Sequence, residues 1–360
     1  MQTLIPAAYY SDPKIFAREQ VELFARNWTC IGFTHDLKKN HDFITREVGG
    51  FPVVVQNFDG VLRAYLNVCT HRFNRIQTEC KGNRNLQCMY HGWIFDHSGL
   101  PSAIPKRPRF DDMSAEKIKS LQLEAWDIAT CGGLVFVRKG LEGKTLREYL
   151  GDAFGSVEAM TNSLGPAIDE NVISVRANWK ILVENTLESY HVHFIHPTTF
   201  SRLNAGDGVF EWQSPHSSWI APLGQKFMAR MQHFMPVFES RPFTTPGYLH
   251  QLIFPHLTIA TTQGTSFSIQ FFEPISPSET KLSSFVFQTR LDNISEGKAS
   301  VVVALNSTVK DFNRAVFSED KDVCEQVQIG TAVTSKVGIL SDEELRVHHF
   351  QQHYRELIGL

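Results

Sequence analysis

Two short segments carry the plainest chemistry in this chain. Cys69-Thr70-His71 is followed by sixteen residues and then by Cys88-Met89-Tyr90-His91. The spacing C-x-H…C-x-x-H offers two thiolates and two imidazoles to one small inorganic centre. That donor set suits a [2Fe–2S] cluster in which two His replace two Cys on one iron. Such a centre carries single electrons. A structural zinc ion also accepts two Cys and two His. Zinc patterns, however, pair Cys with Cys and His with His, whereas here each Cys is paired with a His. The cluster reading is therefore preferred. Gly92-Trp93-Ile94-Phe95-Asp96, with Gly99 beyond, strengthens it. A glycine lets backbone N–H groups approach the sulfides and tune the potential. Cys80 fits no such spacing and reads as a loop cysteine.

A second constellation lies between Asn178 and Pro197. On a helix, Glu188 and His191 are three apart and share a face. Pro197 disfavours the α conformation at His196. The helix should therefore stop near 195, letting His196 turn back toward His191. Two His and one carboxylate make the facial triad of a non-haem Fe(II) oxygenase. The third ligand is best sought in 309–327. Val309, Phe312, Val316, Val323 and Val327 form an apolar stripe at helical spacing. Asp320 falls inside that stripe, and an inward carboxylate needs a partner such as a metal. Glu319, at the stripe's edge, is the runner-up. Asp311, Asp322 and Glu325 fall on the polar side. His193, His216, His233, His250 and His256 read as ordinary core or surface histidines.

The elements that must position these groups come in two styles. Residues 12–28 read as an amphipathic helix with Ile15, Phe16, Val21, Leu23, Phe24 and Trp28 as its apolar positions. From 41 to 138 short β runs dominate, including 51–56, 61–66 and 133–137, with Asp59-Gly60 as a hairpin turn. Both Cys-His pairs follow strands, where loops present ligands from a rigid scaffold. Beyond lie a helix over 145–163, a strand over 173–179 and a helix over 180–195. Residues 205–250 read as an irregular, aromatic-rich stretch. Strands are expected over 252–274 and 281–291, and helices over 305–330 and 341–357. The expected division is an N-terminal helix at 1–40 packing on the catalytic part, a β domain at 41–140 and a catalytic domain at 141–360.

Composition narrows the classes. A formal net charge of −3 gives no reason to propose nucleic-acid binding. No apolar run approaches a membrane-spanning length, and residues 1–6 lack the basic start of a secretory leader. The six cysteines read as reduced thiols rather than a disulfide framework, consistent with a cytoplasmic protein. No dinucleotide fingerprint stands in a strand–turn–helix context, so electrons must come from another protein.

With both constellations present in this order, the chain resembles the α subunit of Rieske non-haem iron ring-hydroxylating oxygenases. The resemblance runs through the Trp28 region, Asn67-Val68-Cys69-Thr70-His71-Arg72, Cys88-Met89-Tyr90-His91-Gly92-Trp93, Asn178-Trp179-Lys180, Glu184-Asn185, His191/His196 and Glu319-Asp320. It implies an α+β chain: a small all-β Rieske [2Fe–2S] domain plus a helix-grip catalytic domain. Cys69 and Cys88 would bind one cluster iron, His71 and His91 the other, and His191, His196 and Asp320 a mononuclear Fe(II). It further implies a homotrimer in which one subunit's cluster serves its neighbour's iron. Glu188 matches the bridging carboxylate between His191 and the neighbour's His91. The implied partners are an NAD(P)H-dependent flavin/iron–sulfur reductase, O2 and a small-molecule substrate.

Two positions depart from the family pattern. Phe73 stands where Gly is usual, and Glu188 where Asp is common. The Glu bridge resembles the branch acting on carnitine, choline and betaines. The implied activity is hydroxylation of a small organic substrate, or demethylation where an N-methyl or O-methyl carbon is attacked. A natural-product or aromatic-acid intermediate is the other substrate reading. A Rieske electron carrier without catalysis, or a zinc-stabilised binding protein, would have no use for the second constellation.

Overall fold

The computed structural model describes residues 1–140, 142–203, 205–292 and 296–359. The chain divides into two units, one of residues 18–149 and one of residues 1–17 with 150–360. The N-terminal helical segment is α1, Pro13–Glu19, continued by a wider turn over Gln20–Ala25. There Arg26 N donates to Val21 O, five residues back. The helix expected through Trp28 therefore ends earlier. Trp28 instead packs its indole under the Arg138 guanidinium and donates from Nε1 to Lys144 O.

The β unit is built from the valine-rich runs. Its strands are β1 (Thr29–Phe33), β2 (Asp42–Val48), β3 (Phe51–Phe58), β4 (Val61–Leu66), β5 (Lys81–Asn83), β6 (Ile94–Phe95), β7 (Pro101–Ala103), β8 (Ala125–Cys131) and β9 (Leu134–Arg138). One antiparallel sheet has the order β1-β9-β8-β4-β3-β2-β5, and β6 pairs with β7. Asp59 and Gly60 both have positive φ (51° and 89°), as a tight primed hairpin turn requires. One core gathers Val53, Val55, Val135 and Val137 around Trp126. A second gathers Phe43, Val54, Tyr65, Trp93 and Phe95 around Cys69 and Cys88. The short helix α2 (Ala115–Ser120) is capped by the Ser114 hydroxyl, which accepts from Lys117 N.

The larger unit is a second antiparallel sheet with helices against it. The single helix expected over 145–163 is two: α3 (Leu146–Leu150), which ends the β unit, and α4 (Ala153–Asn162) in the larger one, parted at Gly151 with φ +50°. The strand β10 spans Leu164–Val175, starting well before the expected Ile173 and giving way to a helix at Trp179. Its acidic residues disguise it, and its long pairing with β16 (Glu279–Thr289) defines it. Helix α5 (Trp179–Thr186) is capped by Asn178, whose side chain accepts from Lys180 N. It stops at Leu187, and a separate turn, α6 (Val192–Ile195), follows. Glu188 and His191 are thus joined by a turn, not by one continuous helix.

Residues 205–250 are not irregular. They hold β11 (Val209–Gln213), β12 (His216–Ala221), α7 (Gln225–Met231) and the start of β13 (Tyr248–Ile253). With β14 (Leu257–Thr262) and β15 (Ser266–Ser276), the sheet order is β10-β16-β15-β14-β13-β12-β11. Helix α8 (Glu296–Thr331) packs against β10 and α5. Helix α9 (Leu345–Ile358) sets Phe350 and Tyr354 against Trp179. These rings are fully buried, each stabilising the fold by about 2–3 kcal/mol. Among the described residues, no helix is long and apolar enough to cross a membrane.

Candidate active site

In the β unit, two loops bring the Cys-His pairs together. Cys69 N donates to Asn74 O at 2.8 Å, and Phe73 N donates to Cys69 O at 2.9 Å. Cys88 N donates to Trp93 O at 2.8 Å, and Gly92 N donates to Cys88 O at 2.9 Å. The second turn needs φ +74° at Gly92, and the first places Phe73 at φ +61°. Both thiols are buried and neighbour one another; burial and the nearby Cys88 push Cys69 up to about 11. Such a thiol holds its proton unless a metal replaces it. The two imidazoles also pair, with ring centres 4.6 Å apart. His71 is stacked on Trp93 at 4.8 Å, and its Nδ1 is buried without a partner among the described residues. His91 is exposed. Two adjacent thiols and two adjacent imidazoles supply the donor set of a two-iron cluster. Among the described residues, a trio elsewhere has all its ligand atoms within 4.8 Å of one another. Cys80 is an exposed loop cysteine just before β5.

That trio is His191, His196 and Asp320. His191 stands at the start of α6, His196 just after its end, and Asp320 on α8. The imidazole rings are 5.2 Å apart. His196 Nε2 lies 2.9 Å and His191 Nε2 3.7 Å from Asp320 Oδ1. The outer nitrogens face carboxylates. His191 Nδ1 bonds Glu188, and His196 Nδ1 lies 2.6 Å from Glu319 Oε2. Each ring can then donate outward from Nδ1 and keep a lone pair on Nε2. Carboxylates behind histidines are the usual way to orient metal ligands. The donor chemistry thus fits a divalent iron with positions left open.

Several supports were not evident from spacing. Glu188 also accepts from the backbone N–H groups of Tyr190 and His191, so it holds the turn as well as the ring. Asn185 Nδ2 donates to Asp320 Oδ1 at 2.9 Å, and Thr199 Oγ1 donates to Glu319 Oε2 at 2.6 Å. Glu319, read as a spare ligand, sits behind His196. Glu325 does not face solvent. It is buried, bonding Arg176 and Lys321, and these hold its carboxyl down to about 2. Val327, placed in the apolar stripe, is 44% exposed, while Phe317 and Cys324 take the inner face.

The trio opens on a cavity of about 730 Å³. Its walls include Trp219, Phe227, Phe234, Tyr248 and Phe312. Phe210 and Trp212, from the same aromatic-rich stretch, are not among its walls. His193 and His233 are at the surface; His216 and His256 are buried away from the cavity.

Residues 162–360 match the family model of the ring hydroxylating alpha subunit catalytic domain, and residues 27–122 that of the Rieske [2Fe-2S] domain. The chain belongs to the ring-hydroxylating α-subunit family. The chain is 28% identical over 233 residues to a glycine betaine monooxygenase oxygenase subunit of Chromohalobacter salexigens, covering 63% of this chain. That match spans only 49% of the relative's length. A carnitine monooxygenase oxygenase subunit of Acinetobacter baumannii is 24% identical over 90% of this chain and 84% of its own. Among solved structures, the quaternary ammonium Rieske monooxygenase CntA with L-carnitine superposes with a TM-score of 0.79 at 19% identity, over 99% of this chain and 95% of that one. Naphthalene 1,2-dioxygenase from Rhodococcus sp. bound to indole gives 0.78 at 16% identity, over 98% and 94%. At such identities the likeness establishes the fold. Family membership brings with it a [2Fe–2S] cluster and a mononuclear iron.

Proposed function

We propose that this chain inserts oxygen from O2 into a small organic substrate, with His191, His196 and Asp320 holding Fe(II) and Cys69, His71, Cys88 and His91 holding the cluster. The observation that carries this is the convergence of three ligand atoms at the wall of a large, mostly apolar cavity. When bound, the iron supplies O2 activation and the cluster supplies single electrons. The residues do the rest. Glu188 and Glu319 fix the tautomers of the two imidazoles. Aromatic walls keep water from the reacting carbon. For monooxygenation, one oxygen atom enters a C–H bond and the other leaves as water, using two electrons and two protons.

The electrons come from a separate reductase, of the NAD(P)H-dependent flavin/iron–sulfur kind. Three copies assemble so that the exposed His91 of one subunit meets Glu188 of its neighbour. The substrate is an organic molecule with a substantial apolar body, which the cavity volume favours. A quaternary ammonium substrate is the second reading, supported by Glu188 and by the rings of Trp219, Phe227 and Phe234.

The test supplies holoenzyme, reductase and NADH with ¹⁸O2 and a first panel of glycine betaine, L-carnitine and naphthalene. The expected result is ¹⁸O in a product or in released formaldehyde, lost in His191→Ala while the red-brown colour stays. Product formation by His191→Ala would remove the proposed role of the triad.

A further inference from the structure

The cavity wall carries two polar atoms that the fold leaves unpaired. One register row crosses the larger sheet: Trp219, His250, Ala260, Ser268 and Val286 stand side by side on adjacent strands. All five line the cavity. Within that row, His250 Nε2 and Ser268 Oγ are buried and have no hydrogen-bond partner among the described residues. His250 is only 5% exposed. A buried, unpaired donor is costly to the fold unless something meets it.

Arg346, on α9, fixes what His250 can offer. Its guanidinium lies 3.1 Å from His250 Nδ1. A guanidinium only donates, so Nδ1 must accept and the ring proton must sit on Nε2. Burial, and then the Arg346 charge, hold the ring neutral by lowering its pKa well below the ordinary histidine value. His250 is thereby a fixed Nε2–H donor. Arg346 is itself 1% exposed, and its other bonds go to Ser217 Oγ at 3.1 Å and Ser217 O at 3.2 Å. Burial brings it down to about 9, which leaves it charged at neutral pH. No carboxylate of the described residues bonds it. A buried cation with only neutral partners calls for an anion nearby.

Ala260 separates the two unpaired groups. Its neighbours' Cα atoms are about 10 Å apart, two strand spacings, and its methyl leaves room between them. Tyr248, two residues before His250 on the same face of β13, feels the charges of both Arg346 and Asp320. The row therefore lies within a substrate's length of the triad.

We propose that His250 Nε2–H and Ser268 Oγ–H anchor a carboxylate of the substrate, with Arg346 as the positioning residue behind His250. This deepens the oxygenase reading and rests on it: the substrate class becomes an organic acid with an apolar body. His250 orients the acid group, and the aromatic walls present the body to the triad.

The test uses the iron-loaded holoenzyme without reductant and two probes, 2-naphthoate and naphthalene, in equilibrium dialysis. Wild-type protein should bind 2-naphthoate. Ser268→Ala and His250→Phe should each weaken it about tenfold or more, as loss of a hydrogen bond to a charged group would. Both should leave naphthalene within about twofold. Arg346→Met should show the same selective loss, partly restored in Arg346→Lys. If His250→Phe does not hold the cluster colour, Ser268→Ala, which removes one hydroxyl, decides. Equal weakening of both probes, no weakening of either, or no 2-naphthoate binding by wild type overturns the anchor. Binding needs no turnover. A failure of ¹⁸O incorporation with intact 2-naphthoate binding would count against the oxygenase reading and not against the anchor.

Discussion

His196 Nδ1 lies 2.6 Å from Glu319 Oε2, while its Nε2 lies 2.9 Å from Asp320 Oδ1. Adjacent carboxylates on α8 thus hold opposite edges of one imidazole. Glu319 is in turn fixed by the Thr199 hydroxyl. Glu319→Gln should weaken mononuclear iron binding about tenfold to a hundredfold, the usual effect of removing such a support. Chelator competition measures this, and the red-brown absorption should not change. Wild-type iron affinity in the variant would show that the carboxylate does not orient His196.

Glu188 bonds His191 with one oxygen and two backbone N–H groups with the other. Glu188→Gln should keep both metal centres, because Gln retains an acceptor oxygen for the turn. It should slow oxidation of the reduced cluster in a single turnover. An unchanged rate would leave Glu188 a purely local support.

Phe73 sits at φ +61° and is 80% exposed. A left-handed conformation strains any residue with a Cβ, and no burial of the ring offsets that strain. Phe73→Gly should stabilise the cluster loop by about 0.5–1 kcal/mol after the greater unfolded entropy of Gly is counted. The midpoint of thermal bleaching of the cluster should rise. A fall would mean that the exposed ring contributes binding or packing of its own.

Glu184 is half-buried, accepting from the Tyr10 hydroxyl and the Gln351 side chain. Burial raises its carboxyl from 4.5 to about 7. A raised acid binds its proton more tightly when folded, so stability falls as pH rises from about 4.5 through about 7. The loss is of order 3 kcal/mol at most. Glu184→Gln should flatten the melting temperature between about pH 5 and 7.5, across most of the shift. An unaltered slope would contradict the burial effect.

Much of this chemistry was legible in the sequence because it is local. Two Cys-His pairs and His191/His196 are close in the chain, and Asp320 was marked by a carboxylate inside an apolar stripe. What spacing could not show depends on contacts made far apart. β11 is exposed along most of its length and α7 buries no residue, so neither carried a hydrophobic period to read. Glu325 looked solvent-facing until Arg176, 149 residues away, closed over it. His250 looked like any core histidine. Its role as a fixed donor depends on Arg346, 96 residues downstream, and on a row of strands that only the sheet assembles.

The most direct measurement is metal and labile sulfide stoichiometry in Asp320→Ala beside the wild-type protein. Roughly three irons and two acid-labile sulfides per chain are expected for wild type, one cluster plus one mononuclear ion. The variant should fall to roughly two irons, keep its sulfide and its red-brown spectrum, and form no product. A variant that retains the third iron, or wild-type protein that carries zinc and no sulfide, would contradict the two-centre assignment.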